Sequence, residues 1–387
     1  MVAVVYGENI NKGSPVVVKI DFDPTKLADP SALPTGTGQG CAFDPTGTYL
    51  AVAHNSSPYI TIYKREGDTF TKLTNPDVLP TGAGQGCAFD STGTYLAVAH
   101  NINPFVTIYK RDGDTFIRLA NPDVLPPSTG NDCAFDPTGT YLAVAHAGSP
   151  RITIYKRDGD TFTKLANPDV LPPNTSNGCA FDPTGMYLAV AHIDRPYITI
   201  YKRSGDTFTK LADPDVLPAY TGYGCAFDPT GTYLAVAHTN HPNITIYKRD
   251  GDTFTKLVDP STLPPAAGQG CAFDSTGTYL AVAHNGSPYL AIYKRNGDTF
   301  TKLANPDVLP PDIGRGCAFD STGAYLAVAH GSSPYITIYD GFSRAVFQTG
   351  NSILDIQAEG VIAAGYARED GLAGETKEIV RIWRAGG

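Results

Sequence analysis

Two reactive residue types recur through this chain at one spacing. Cys41, Cys87, Cys133, Cys179, Cys225, Cys271 and Cys317 stand 46 residues apart, and so do His54, His100, His146, His192, His238, His284 and His330. Thiols and imidazoles ligate metals, form disulfides, attack carbonyls and carry protons. Their distribution here argues against each of those uses. A metal site needs clustered ligands such as a Cys-x-x-Cys pair, and a disulfide framework shows paired cysteines at uneven spacings in a short chain. One cysteine per unit reads instead as a small buried hydrophobe, and thiols left free suit synthesis in a reducing compartment. One histidine per unit, sharing a strand face with Leu50 and Val52 in the case of His54, reads as packing plus a hydrogen bond. A ring of such residues would stand too far apart to share one ion. No cofactor is expected.

A fixed period of this length marks a repeat architecture. In the unit that begins at Gly40, Gly40–Phe43 reads as a short strand and Asp44-Pro45-Thr46-Gly47 as a turn, with Asp first, Pro presetting φ and Gly last. Tyr49–His54 is apolar on both faces, so it predicts a strand buried on both. Tyr59–Tyr63, rich in β-branched and aromatic residues, predicts a third strand. Glu66-Gly67, which is Asp-Gly in other copies, turns the chain into a more polar fourth strand at Thr69–Leu73. The Lys-Arg pairs before that turn, such as Lys64-Arg65, are answered by acidic residues that read as partners within the same hairpin.

Four short antiparallel strands per unit make the blade of a β-propeller, with small Gly and Ala toward the axis and Tyr and Phe farther out. The fold class predicted is all-β: a seven-bladed propeller over residues 21–340, with a small terminal β-domain built from residues 1–20 and 341–387. The segment Phe43-Asp44-Pro45-Thr46-Gly47-Thr48-Tyr49-Leu50-Ala51 resembles the Phe-Ser-Pro-Asp-Gly-x-x-Leu-Ala segment of WD40-type propellers, and the resemblance spans roughly residues 20–340. Tyr63-Lys64 stands where that family has Trp-Asp, and the family's Gly-His pair is missing. Thr25–Pro34 matches Thr71–Pro80 at the same offset. An N-terminal strand near Val16–Leu27 is therefore expected to complete the last blade, with Arg344–Phe347 as the rival.

Where copies this similar disagree, the differences carry information. Two windows vary: the loop after the repeat histidine, and the segment before the Gly-Cys strand. In a four-stranded blade both emerge at one end of the ring, while the Asp-Pro-Thr-Gly and Gly-Asp hairpins emerge at the other and scarcely vary. Loops on a rigid scaffold are where binding residues concentrate, so the variable end is the expected binding surface. Its candidate contacts are the large or charged departures Ile102, Phe105, Arg151, Asp194, Arg195, Tyr220, Tyr223, His241, Asp312 and Arg315.

A formal charge of −9 argues against nucleic acid as the partner. No apolar run reaches the length of a membrane span, and no basic segment precedes an apolar one at the N-terminus, so neither membrane insertion nor a signal peptide is expected. Catalysis needs an asymmetric set of groups; axial strands copied sevenfold supply none unaided, so no enzyme is expected, a lactonase-like propeller hydrolase being the least favoured reading. The two ends resemble small β-domains of tailed-phage head-decoration and head-fibre proteins, through Gly7-Glu8-Asn9-Ile10-Asn11-Lys12-Gly13 and the Gly365–Thr376 segment. That resemblance implies a virion protein made in the host cytoplasm, with the terminal domain on a capsid or tail protein. The propeller would then display its variable end to a host-surface protein or glycan. An intracellular WD40-like scaffold that binds protein partners is the alternative, and self-association into a homo-oligomer is compatible with either.

Overall fold

The computed structural model describes residues 24–342 in full and, toward the two ends, the backbones of six short strands. Residues 24–342 contain seven four-stranded antiparallel sheets. Blade 1 consists of an inner strand Gly38–Phe43, a second strand Tyr49–His54, a third strand Ile60–Glu66 and an outer strand Thr69–Lys72. The first turn is built by its aspartate. Asp44, buried, accepts the Tyr49 N–H at 2.7 Å and the Thr46 hydroxyl at 2.6 Å, and Gly47 adopts φ 66°. Tyr59 lies just outside the third strand in a left-handed conformation, φ 68°, as does its counterpart in every blade. Its carbonyl accepts the His54 N–H at 3.1 Å and leaves no room on the next blade: a Cβ at Gly84 would lie 2.4 Å from it.

The core lies between blades, which is why the second strand is apolar on both faces. Ala51, Ala53, Ile60 and Ile62 of blade 1 pack on Cys87, Leu96, Val98, Tyr109 and Phe116 of blade 2. Each fully buried Leu, Val or Ile contributes about 1.5–3 kcal/mol, repeated at every blade-to-blade contact. The repeat histidine forms a polar pair inside this core: His54 Nε2 lies 2.9 Å from Thr61 Oγ1, and the pairing expected for packing plus a hydrogen bond is present. Burial lowers its pKa from the ordinary 6.5 to about 4.

A polar clasp ties the blades together at the uniform end. Tyr49 donates to Asp114 Oδ1 at 2.6 Å, Lys64 meets Asp114 Oδ2 at 2.9 Å, and the Arg111 guanidinium sits 4.7 Å above the Tyr49 ring. The acidic partner of Lys64 thus comes from the hairpin of the next blade, not from its own hairpin as its sequence neighbourhood suggested. The Tyr49 and Lys64 hydrogen bonds hold the Asp114 carboxyl below its usual range.

Ring closure uses the same parts. Thr25–Lys26 pairs antiparallel with Tyr339 and Asp340, and the Leu27 N–H donates to the Ile338 carbonyl at 2.9 Å. The N-terminal segment therefore supplies the outer strand of blade 7, as expected, but over a shorter stretch than Val16–Leu27. Val17–Lys19 pairs instead with Val346–Gln348, and Arg344 and Ala345 of the rival segment lie outside the described residues. Leu50, Val52, Tyr63 and Phe70 of blade 1 pack on Ala327, Ala329, Ile336 and Ile338 of blade 7. Tyr325 donates to Asp68 at 2.6 Å beneath the Arg65 guanidinium, so the join carries the tyrosine, aspartate and arginine of the clasp, with Asp340 standing where its lysine is elsewhere.

The chain divides into two compact units, Pro24–Asp340 and the combined ends Met1–Asp23 and Gly341–Gly387. In the second unit Ala3–Val5 pairs antiparallel with Thr376–Glu378, joining N-terminal to C-terminal backbone. The two motifs on which the phage resemblance rests, at residues 7–13 and 365–376, lie almost wholly outside the described residues.

Two outcomes follow from the histidine pairs. In blade 6 the threonine is replaced by Ala291, and His284 Nε2 has no partner among the described residues. Ala291→Thr should restore the pair and stabilise the fold by about 1 kcal/mol, read from denaturant melts. Six of the histidines have folded pKa values of about 4 against an ordinary 6.5. A depressed base pKa leaves stability intact above 6.5 and removes it as pH falls toward 4, because the unfolded chain binds the protons first. Thermal midpoints should therefore fall steeply between pH 6.5 and 4.5, and a flat profile there would refute the buried neutral imidazoles.

Candidate functional site

The inner strands do not run in plain alternation. Gly38 pairs with His54 and Gly40 with Ala53, which leaves Gln39 as an extra residue in a β-bulge. The same skip occurs in every blade, at Gln85, Asn131, Asn177, Tyr223, Gln269 and Arg315. A bulge re-aims a side chain out of the ladder. These seven bulged residues line a cavity of about 300 Å³, together with Asp132 and, in blades 1, 2, 5, 6 and 7, the glycine and cysteine that follow the bulge. The inner strands of the blades share this cavity, so it marks the axial channel of the ring.

The cysteine ring is architectural. Cys87 Sγ approaches the Ala51 carbonyl of the preceding blade at 3.7 Å, and burial pushes its thiol pKa up to about 12. A thiol held protonated in this way is a poor nucleophile and metal ligand. Among the described residues no three His, Cys, Asp or Glu side chains are placed to hold a metal ion together.

Between the bulge and the cysteine, six blades have glycine and blade 3 has Asp132. The position is crowded: a Cβ would lie 3.1 Å from the Gln85 carbonyl at Gly40 and 2.5 Å from the Tyr223 carbonyl at Gly178. Asp132 fits because blade 2 has no side chain opposite it, a Cβ at Gly86 coming 2.5 Å from Asp132 Oδ1. Its Oδ2 accepts the Cys179 N–H at 3.1 Å. Burial dominates all the same, pushing the carboxyl up to about 7. Further departures gather beside it. Asn131 donates to the Ser176 carbonyl at 2.8 Å, and Ser176 itself stands where the other blades carry glycine. Asn177 donates to the Gly222 carbonyl at 2.9 Å. The axial strands are therefore not seven equivalent copies, which corrects the expectation that they are too symmetric to supply a site unaided.

At the same end the two variable windows are knitted to each other. Thr35 donates to the Ser57 carbonyl at 2.6 Å, the Asn55 N–H to the Thr37 carbonyl at 3.1 Å, and Thr37 to the Gly331 carbonyl of blade 7 at 3.0 Å. Of the residues predicted to make contacts, Tyr223 and Arg315 line the channel, while the other eight occupy the surrounding loops. Tyr220 stacks on Tyr197 with ring centroids 5.5 Å apart, flanked in sequence by exposed Asp194 and Arg195. Ile102 is 51% exposed, and His241 is exposed. Phe105 and Arg151 occupy the left-handed position and are half-buried, with Arg151 donating to the Ala147 carbonyl. Asp312 accepts from Ser332 at 2.7 Å, which holds its carboxyl below the usual range. The loop residues are spread over several blades, and only the channel gathers side chains from all of them. Asp132, Asn131 and Asn177 were missed as site residues. The signal was present: Asp132 is the one replacement of the glycine before the repeat cysteine.

The fold and its axial channel define a seven-bladed β-propeller of four-stranded antiparallel blades. No protein-family model matches the chain, and no curated protein does. Among solved structures, the β-propeller domain of Cps50 (Swd1) from Myceliophteria thermophila superposes with a TM-score of 0.60 at 13% identity, covering 82% of this chain and 98% of that one. At that identity the likeness concerns the fold.

Asp132 lets the site be tested through stability. Its carboxyl has an ordinary pKa of 3.8 and a folded value of about 7. A raised acid pKa destabilises the folded state above the folded value, and the penalty fades as pH falls toward 3.8. Asp132→Gly, which restores the residue of the other blades, should raise the thermal midpoint at pH 8, with a smaller gain at pH 4. An unchanged or lower midpoint at pH 8 would contradict the crowded, desolvated placement of this carboxyl.

Proposed function

We propose that this chain is a protein-binding scaffold whose partner seats on the rim around the channel mouth. The observation that carries the reading is the division of the ring into one uniform end and one diversified end, the diversified loops being held in place by hydrogen bonds between the two windows. Rigidly held loops that differ from blade to blade present a specific surface at low entropic cost. The departures include residue types that anchor protein interfaces, namely the Tyr197–Tyr220 stack and exposed Arg195. The likeness to the Cps50 propeller domain concerns the fold, and none of the comparisons favours a virion protein. Pairing of the first and last strands supports reading the terminal unit as a separate attachment module. The free thiols support work in a reducing compartment. The chain is read as a binder and not a catalyst, since the titratable groups of the channel are one carboxyl, one phenol and thiols held protonated by burial.

The test is affinity capture from cells of the source, with three forms of the chain compared by quantitative mass spectrometry. Wild type and a uniform-end variant, Lys156→Glu, should retain the same partner. A Tyr220→Ala, Arg195→Glu variant should lose it by about tenfold or more, the loss expected for one interface anchor. Equal retention by all three forms, or loss only in the Lys156→Glu variant, would overturn the assignment of the rim.

A further inference from the structure

We infer that the axial channel binds a small zwitterion, its ammonium group on Asp132 and its carboxylate on Arg315. The cavity of about 300 Å³ is at the small end of the range for ligand pockets and suits a molecule of amino-acid size. Asp132 and Arg315 are its only charged lining residues. They belong to blades 3 and 7, with blades 1 and 2 between them on one side and blades 4, 5 and 6 on the other. That is the widest separation a seven-membered ring allows, so the two face the channel from opposite walls.

Neither charge is neutralised by an ion pair among the described residues. Asp132 accepts from the Cys179 N–H, and the Cys133 N–H also acts on it, but no cation does. The Nε of Arg315 is buried without a hydrogen-bond partner. The carboxylate that feels Arg315 is that of Asp312, which is already bonded to the Ser332 hydroxyl and the Ile313 N–H. Both charges are also departures from the repeat. Glycine stands at the Asp132 position in the other six blades, and glutamine at the Arg315 position in blades 1, 2 and 6. A carboxylate placed where a Cβ is crowded lowers stability, and local rules broken at such a cost mark functional positions.

The choice of a zwitterion follows from the cost of leaving half-buried charge unpaired. A simple cation would satisfy Asp132 and leave Arg315 as it is, and a simple anion would do the reverse. A molecule with both groups enters uncharged overall and completes both pairs. Asn177 and Tyr223, on the intervening blades 4 and 5, offer neutral hydrogen-bonding groups in the channel wall, and Asn131 offers one beside Asp132. This inference uses channel residues only and does not rest on a protein partner seated on the outer loops.

The experiment is calorimetric titration of the full chain with glycine, β-alanine, γ-aminobutyrate and ε-aminocaproate, which vary the separation of the two charges. Hexylamine and hexanoate serve as single-charge controls. One member of the series should bind best and outcompete both controls. Asp132→Gly and Arg315→Gln, each restoring a residue found in other blades, should each weaken it roughly 10- to 100-fold, as expected for removal of a charged partner. No binding by any member, binding undiminished in both variants, or a control that binds as tightly as the best zwitterion would each overturn the inference.

Discussion

Seven inner strands approach one another around the axis until backbone meets backbone, and this contact sets the terms for the rest of the ring. At Gly40 a Cβ would stand 3.2 Å from the Gly86 Cα of the next blade, and at Gly224 it would stand 3.0 Å from the Gly270 Cα. Close approach of this kind removes side chains from the contact, so cohesion must come from farther out. It does so in layers: cysteine on the neighbouring blade's alanine carbonyl, then alanine and isoleucine against leucine, valine and tyrosine, then the tyrosine–aspartate clasp at the rim. The wedge shape of a blade is this ordering of residue sizes. Closure imposes the same terms on the last blade, which is why the outer strand contributed by Thr25–Lys26 and the clasp of Tyr325 on Asp68 repeat the internal pattern.

The bulge is where architecture turns into a site. An extra residue, two positions before each repeat cysteine, takes one side chain per blade out of the ladder and makes it part of the channel lining. Core packing does not constrain these positions, so they vary among Gln, Asn, Tyr and Arg, while the flanking residues are glycine except at Asp132 and Ser176. Asp132 is a different case, since it occupies a position that packing does constrain. A carboxyl there meets burial on all sides but the channel, and its raised pKa follows from that setting. Packing favours glycine at this position, which the other six blades have.

Much of this was legible in the residues. The 46-residue period, the Asp-Pro-Thr-Gly turn, the doubly apolar second strand and the N-terminal match to an outer strand point to the closed ring that is observed. These features are local or periodic, and local signals survive folding. Three things were not legible. The bulge has no composition of its own, because Gly-Gln-Gly-Cys reads equally well as plain alternation. The left-handed residue after each proline is Tyr, Phe, Arg or Asn, none of which announces that backbone as glycine would. The clasp joins residues of successive blades, such as Lys64 and Asp114, whereas the nearest opposite charge in the sequence lies in the same hairpin. Asp132 was overlooked for a related reason. The seven copies look interchangeable until the channel shows which of their few differences face one another.

The account turns on a single half-buried carboxyl that is largely withdrawn from water at the closest approach of the inner strands. The most direct measurement is the titration of that group in the folded protein, by carboxyl-carbon NMR with Asp132→Gly used to assign the resonance. The account predicts a midpoint near 7, well above the ordinary value of 3.8. A midpoint at the ordinary value would contradict it, because a carboxyl that ionises as it does in water is not confined between blades.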